Sequence, residues 1–414
     1  MGWWFKMVLW QRVMGALVLG VIAGLILGDN AVWLKPIGDV FVTAIRMLVV
    51  PLIFTTLVAG VIGMGEPAKL GTIGLRAIGL YLGTTLVAVS IGLGFGTLFK
   101  PGAGVDFSDV VPHAVSTESV SLTERLINII PANPFNALAS GDVLSIIFFA
   151  ILVGIAILTL GEKGKPVGDL FQSGADIMFK ITHWVMELAP FGVFALIAWV
   201  TGTKGIETFS SILVLAAAVY LGCITHIILV YGGLLRFVLG LPLVRFFRGI
   251  LDAQAVAFST SSSSGTLPVT IACVQENLGV KPSIASSVLP LGATINMDGT
   301  SLYLGILALF AAQAFGIDLS FGDYLMIAIT ATLASIGAAG IPSASLFVLA
   351  TVLTVFNVSP EQTAIMVGFI LPFDRLLDMM RTLTNVTGDA AVATAVAKWE
   401  GELDEDIYRK VATV

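Results

Sequence analysis

Asn296-Met297-Asp298-Gly299-Thr300 stands in the middle of a segment, about 283–316, that is otherwise almost wholly apolar. A run of that length and composition reads as membrane-embedded. An ionisable side chain near the bilayer centre costs at least about 2.5–3.5 kcal/mol and marks a functional site by default. Two further polar clusters flank this one. A Ser-rich stretch, Ser259-Thr260-Ser261-Ser262-Ser263-Ser264-Gly265, precedes it, and a charged series from Asp374 to Asp389 follows it. Polar clusters confined to one hydrophobic third of a chain predict a binding site for something charged near the bilayer midplane.

The composition sets the class. Hydrophobic residues make up 57% of the 414 positions and Asp, Glu, Lys and Arg only 12%. Soluble globular chains carry about 25% charged residues, so the mean hydropathy of +0.98 predicts a polytopic membrane protein. The net charge of −6 gives no reason to expect a nucleic-acid partner. Cys223 and Cys273 lack metal-ligand spacing and read as buried small hydrophobes. The first apolar run passes into the next without a small-residue cleavage site, which predicts a retained span.

Charge-poor runs near 8–28, 40–63, 77–99, 143–161, 181–203 and 208–235 predict six spans. Beyond Arg236 the pattern changes. The segment near 250–279 is broken by serines, Gly265 and Pro268. The stretch from Tyr324 to Pro360 has no charge, but Ser335-Ile336-Gly337-Ala338-Ala339-Gly340-Ile341-Pro342-Ser343 interrupts it. Non-helical backbone at membrane depth is tolerated only inside protein or along a cavity. A pair of Gly/Pro-interrupted segments points to a transporter site. Both are therefore expected to be re-entrant hairpins whose tips meet. Lys and Arg mark the cytoplasmic side. A cytoplasmic N-terminus puts Lys69, Lys163, Lys165, Arg245, Arg248, Lys281 and Lys398 inside and only Lys35, Lys100, Arg125 and Lys204 outside, with both termini cytoplasmic.

Asp374, Asp378, Arg381, Asn385 and Asp389 follow one another at steps of 4, 3, 4 and 4, which share one face of a helix. Arg381 offers a planar fork that matches a carboxylate. Broken helices offer free N–H groups for an anion and free carbonyls for a cation. One guanidinium among several carboxylates fits an acidic amino acid, with Asp298 and Asp389 left over for co-transported cations. The bland alternative is a buried ladder of Asp374/Arg375 and Asp378/Arg381 pairs. Arg46 and Tyr81, taken singly, read as packing or interfacial residues. His113 and His183 read as solvated, and His226 as a helix-contact histidine. An enzyme built on the serines would need a base, and no His or Lys lies close to them in sequence.

Three motifs carry a family resemblance. They are Ser262-Ser263-Ser264-Gly265-Thr266-Leu267-Pro268-Val269-Thr270, Leu291-Gly292-Ala293-Thr294-Ile295-Asn296-Met297-Asp298-Gly299-Thr300, and Asp378-x-x-Arg381-Thr382-x-x-Asn385-Val386-x-Gly388-Asp389. Arg46-Met47-Leu48-Val49-Val50-Pro51-Leu52 and Ala189-Pro190-Phe191-Gly192-Val193-Phe194 extend the match along the chain. Together they resemble the glutamate transporter homologue family, the dicarboxylate/amino acid:cation symporters that include the animal excitatory amino acid transporters.

The resemblance implies an all-α membrane protein of eight transmembrane helices plus two re-entrant hairpins, assembled as a homotrimer in the lipid of an inner (plasma) membrane and working as an elevator. It implies scaffold segments at 1–72 and 143–207, an external loop at 101–142, and a transport domain from 73–100, 208–249 and 250–414. It assigns L-aspartate or L-glutamate to Ser261, Ser263, Thr300, Ile341, Ser345, Asp378, Arg381, Thr382 and Asn385. It assigns one sodium ion to Gly292, Asn296, Asn385 and Asp389. A second falls to Thr294, Met297, Ser335, Ile336 and Ala338, and a third to Tyr81, Thr84, Thr85, Asn296 and Asp298. Neutral amino acid exchangers of the family lack the arginine matching Arg381, and dicarboxylate carriers tend to lack the aspartate matching Asp389, so an acidic amino acid is expected. A proton-coupled, dicarboxylate or neutral amino acid carrier on the same fold is the runner-up. Ser261 and Met379 stand where relatives have an arginine, and Ser345 where the gating hairpin usually has glycine. Arg375 is expected to supply the missing charge.

Overall fold

The computed structural model describes residues 9–63, 67–105, 127, 129–140, 143–205, 210–336 and 344–409. Among them the chain is helical throughout, with a single isolated bridge between Val280 and Leu403. The helices are α1 (Leu9–Leu27), α2 (Lys35–Gly63), α3 (Pro67–Phe99), the short α4 (Pro134–Ser140), α5 (Val143–Leu160), α6 (Lys165–Met186), α7 (Ala189–Lys204), α8 (Ser210–His226), α9 (Leu243–Gly249), α10 (Leu251–Thr260), α11 (Ser263–Ala272), α12 (Pro282–Ile295), α13 (Asp298–Ala314), α14 (Phe321–Ile336), α15 (Ala344–Leu353), α16 (Pro360–Glu400) and α17 (Glu405–Arg409). Five stretches among the described residues are long and apolar enough to cross a membrane: Gln11–Phe41, Thr72–Phe99, Ser145–Lys163, Ser210–Val238 and Pro282–Ala314.

The expected span near 181–203 is corrected. Two helices, α6 and α7, meet at Glu187-Leu188. The first carries its apolar residues on one side and polar ones on the other, so a search for unbroken apolar length passes over it. Arg12 of α1 closes the break with a bidentate pair to Glu187 at 2.7 and 3.0 Å.

Helix α10 has 10 residues and ends at Ser261, which adopts a left-handed conformation at φ 54°. Ser262 then caps α11 by accepting from the Gly265 amide at 3.0 Å. Such arms rise only about 15 Å, against a hydrocarbon core of about 30 Å, and they pack on each other as a hairpin. Helices α14 and α15 pack in the same way. Their connection, 337–343, lies outside the described residues.

Asn296 and Met297 leave the helical region and separate α12 from α13. The unwound motif thus turns one long apolar segment into two half-helices. Helix α16 runs for 41 residues, about 60 Å. Its start is fixed by a capping box, with Gln362 N–H donating to Ser359 and Ser359 N–H donating to Gln362.

Packing divides these helices into two sets. Helices α1, α2, α5, α6 and α7 pack mainly with one another; α3, α8 and α10–α16 form the second set. Helix α16 meets α2 and α7, and α15 meets α2, where the sets touch.

Candidate functional site

The polar series of α16 turns inward as its spacing predicts: Asp374, Asp378, Arg381, Asn385 and Asp389 are all buried. Arg381 is fully enclosed. Its Nη2 lies 3.1 Å from Asp374 Oδ1 and 2.8 Å from Asp378 Oδ1, and the guanidinium stacks on the Tyr303 ring at 3.9 Å. Tyr303 donates its hydroxyl to Asp374 at 3.0 Å. Nε and Nη1 of Arg381 have no hydrogen-bond partner among protein atoms. Unmatched buried donors are costly, more so when charged, and a carboxylate is the acceptor whose geometry matches them. Asp374 therefore pairs with Arg381, not with its neighbour Arg375. Arg375 instead donates to the carbonyls of Ser259 and Thr260 at 2.7 and 3.2 Å, so its charge serves the end of α10.

A second cluster sits at the unwound motif. The Asn296 amide donates to the Asn385 carbonyl at 2.9 Å and to Asp389 Oδ1 at 3.0 Å. The Asn385 side chain accepts from the Gly299 amide at 2.8 Å and reaches Met297 Sδ at 3.4 Å. Gly292 faces the same point: a Cβ there would lie 2.5 Å from both Asp389 Oδ1 and the Tyr81 hydroxyl. Asn296 Oδ1 is buried without a partner. A carboxylate, an orphaned amide oxygen and the open end of α12 are hard oxygen donors suited to a cation such as sodium. The structure thus brings Gly292, Asn296, Asn385 and Asp389 together.

Asp298, the first residue of α13, is fully buried. Its Oδ1 accepts from Thr85 at 2.6 Å, and its Oδ2 from Tyr231 at 2.6 Å, with His226 Nε2 at 3.1 Å. Of the other residues expected there, Tyr81 donates to the Val288 carbonyl at 3.1 Å and Thr84 to the Tyr81 carbonyl at 3.1 Å.

The remaining expectations are less tightly gathered. Ser261, Ser263, Thr300, Ser345 and Thr382 are all buried, and the hydroxyls of Ser261 and Ser345 have no partner. Thr294 donates to the Leu291 carbonyl and Ser335 to the Thr332 carbonyl. Ser335 and Ile336 end α14. Ala338 and Ile341 lie outside the described residues, as do His113 and the side chains of Arg46 and His183. Three contributors escaped the sequence reading: Tyr303, Tyr231 and the contact of His226 with Asp298. Tyr303 meets its partners Asp374 and Arg381 only across the fold, and Tyr231 lies five residues beyond His226, a spacing that no α-helical face predicts.

Comparisons with known proteins identify the family. The family described as "Sodium:dicarboxylate symporter family" matches residues 9–399. The proton/sodium-glutamate symport protein of Bacillus caldotenax is 37% identical over 408 residues, covering 96% of this chain and 95% of its own. The C4-dicarboxylate transport protein of Rhodospirillum rubrum is 37% identical over 409 residues, covering 97% and 90%. The C4-dicarboxylate transport protein of Bacillus subtilis is 35% identical over 401 residues, covering 95% and 94%.

Proposed function

Because the chain belongs to the sodium:dicarboxylate symporter family, and is a transporter, not an enzyme, we propose that it is a sodium-coupled symporter for L-aspartate or L-glutamate. The observation that carries the substrate is the Arg381 guanidinium, fully buried, with Nε and Nη1 unmatched. Asp374 and Asp378 already surround it with two negative charges. A dicarboxylate would add two more, whereas an acidic amino acid brings an ammonium that Asp378 can hold. Thr300, Thr382, Asn385 and the hairpin serines Ser261 and Ser263 supply hydrogen bonds, with Ile341 and Ser345 contributed by the second hairpin. Sodium enters as co-substrate. Gly292, Asn296, Asn385 and Asp389 fit one ion, and Thr294, Met297, Ser335, Ile336 and Ala338 are assigned a second.

The architecture of this reading is eight spans and two re-entrant hairpins in a plasma-membrane homotrimer with cytoplasmic termini. The packing of α1, α2, α5, α6 and α7 apart from the rest supports a scaffold against which α3, α8 and α10–α16 slide as one body. A second reading keeps the fold and changes the cargo or the driving ion, because relatives of equal identity are named as C4-dicarboxylate and as proton/sodium-glutamate carriers.

The deciding experiment is binding of L-aspartate, L-glutamate and succinate to the purified protein across a sodium titration, with Arg381→Ala as control. Steep sodium dependence for the amino acids, and a loss of affinity of at least about 100-fold in R381A, the scale of breaking a buried charge pair, are expected. Tighter binding of succinate, or binding indifferent to sodium, moves the assignment to the second reading.

A further inference from the structure

The corner that follows α8 is braced on its inner side and bare on its outer side. Beyond His226 the helix continues as two π-helical stretches, Ile227–Tyr231 and Leu234–Val238. Val238 closes an apolar run, Ser210–Val238, long enough to cross a membrane. Gly240 then reverses the chain at φ 67°, a left-handed conformation that glycine adopts without strain. The Leu241 amide donates back to the Leu235 carbonyl at 2.9 Å. Protein holds the corner from behind. Phe246 of α9 is fully buried, the Tyr408 hydroxyl donates to the Pro242 carbonyl at 3.4 Å, and Asn277 donates to the Gly249 carbonyl at 2.8 Å.

On the outer side Arg236, Phe237 and Val238 are all exposed, Phe237 at 87%. Three consecutive exposed residues take up about half of a helix's circumference. Val244 and Leu251 extend the apolar surface, at 62% and 56%, and Arg245 and Arg248 alternate with them in sequence. From Gly232 to Leu251 there are three arginines and no acidic residue. None of the three guanidiniums has an ion pair or hydrogen bond among the described residues, whereas Lys281 and Lys398 are paired with Glu402 and Glu405. A guanidinium grips a phosphate through paired N–H bonds, and apolar side chains beside it enter the boundary between headgroups and acyl chains. We infer that the corner Arg236–Leu251 docks the headgroup of an anionic phospholipid. Three uncompensated positive charges call for a partner of net negative charge. Phe237 and Val238 end the span itself, which puts the charges at headgroup depth and favours lipid over a soluble protein. Lys and Arg mark the cytoplasmic side, whose anionic lipids attract basic segments next to a span. The inference holds whichever cargo and ion the chain carries.

The test titrates phosphatidylglycerol and phosphatidylcholine onto the purified full-length protein in neutral detergent and counts bound lipid by native mass spectrometry. Tighter binding of phosphatidylglycerol is expected. One arginine near an anionic surface contributes about fivefold. Arg236→Gln, Arg245→Gln and Arg248→Gln are therefore each expected to weaken phosphatidylglycerol about fivefold, and together about 100-fold, with phosphatidylcholine unchanged. Lysine at the same three positions should keep most of the preference. Lys163→Gln with Lys165→Gln, an exposed basic pair where α5 passes into α6, should leave it intact. Equal losses in the lysine-pair and arginine variants would mean general surface charge and overturn the site. Phe237→Ser separates a lipid from a free phosphate: a several-fold loss of phosphatidylglycerol is expected. Displacement of the lipid by millimolar inorganic phosphate, with no effect of F237S, would mark a simple anion site and overturn the proposal. Equal binding of the two lipids by the native protein overturns it as well and leaves this face to a protein partner.

Discussion

Arg375 illustrates how one side chain is assigned by geometry and not by composition. Its neighbours in sequence suggest an ion pair with Asp374 or a charge offered to substrate. The structure gives its guanidinium to the carbonyls of Ser259 and Thr260, which belong to the last turn of α10. The final carbonyls of a helix lack partners and carry the negative end of its dipole, so a cation there stabilises the arm whose tip holds Ser261 and Ser263. Arg375→Ala is expected to fray that turn. Two hydrogen bonds at an exposed group amount to about 1 kcal/mol in total, or roughly a fivefold loss of substrate affinity. Hydrogen exchange over residues 257–262 checks the cause: protection should fall in R375A and recover in part in Arg375→Lys. Unchanged protection with normal affinity would leave Arg375 without a role in the hairpin.

At the scale of elements, α3 and α13 owe their closeness to missing side chains. A Cβ at Gly92 would run into the Leu302 carbonyl, and one at Gly96 would lie 2.9 Å from Leu309 Cβ. Membrane helices associate through such small residues, and Tyr81, Thr84 and Thr85 ride on the same helix. Gly92→Ala is expected to cost about 1–3 kcal/mol by overpacking and to lower the melting temperature by a few degrees. Gly94→Ala, where a Cβ meets nothing within 4 Å, is the control, and equal behaviour of the two would remove the packing argument. The legible part of the fold follows from the same physics. Unbroken apolar length revealed α1, α2, α3, α5 and α8, and the steps of four and three revealed the inward face of α16. The amphipathic α6 was not legible by apolar length. The π turn of α8 was not legible either, because a spacing of five carries meaning only once the helix is known to widen. Tyr231 entered the site through that blind spot, and Tyr303 through a long-range meeting of α13 with Asp374 and Arg381 of α16.

For the whole molecule, the two packing sets make a mechanical prediction. If α3, α8 and α10–α16 travel as one body past α1, α2, α5, α6 and α7, a covalent tie between the sets must stop transport without removing the binding site. Leu196 on α7 and Gly368 on α16 provide the place: a Cβ built at Gly368 lies 3.9 Å from Leu196 Cβ, inside the range of about 3.5–4.5 Å that a disulfide spans. Gly368 precedes Arg381 by 13 positions on α16, about 20 Å along the helix. The native thiols, Cys223 and Cys273, are both buried and free and can be replaced by alanine to give a clean background. Leu196→Cys with Gly368→Cys is expected to cross-link under mild oxidation, to bind substrate about as well as the reduced protein, and to lose uptake into proteoliposomes until a reductant is added. Each single cysteine should transport in both conditions. Full cross-linking with uptake still running would mean that the substrate crosses by local gating between fixed helices, and the division into scaffold and moving body would have to be given up.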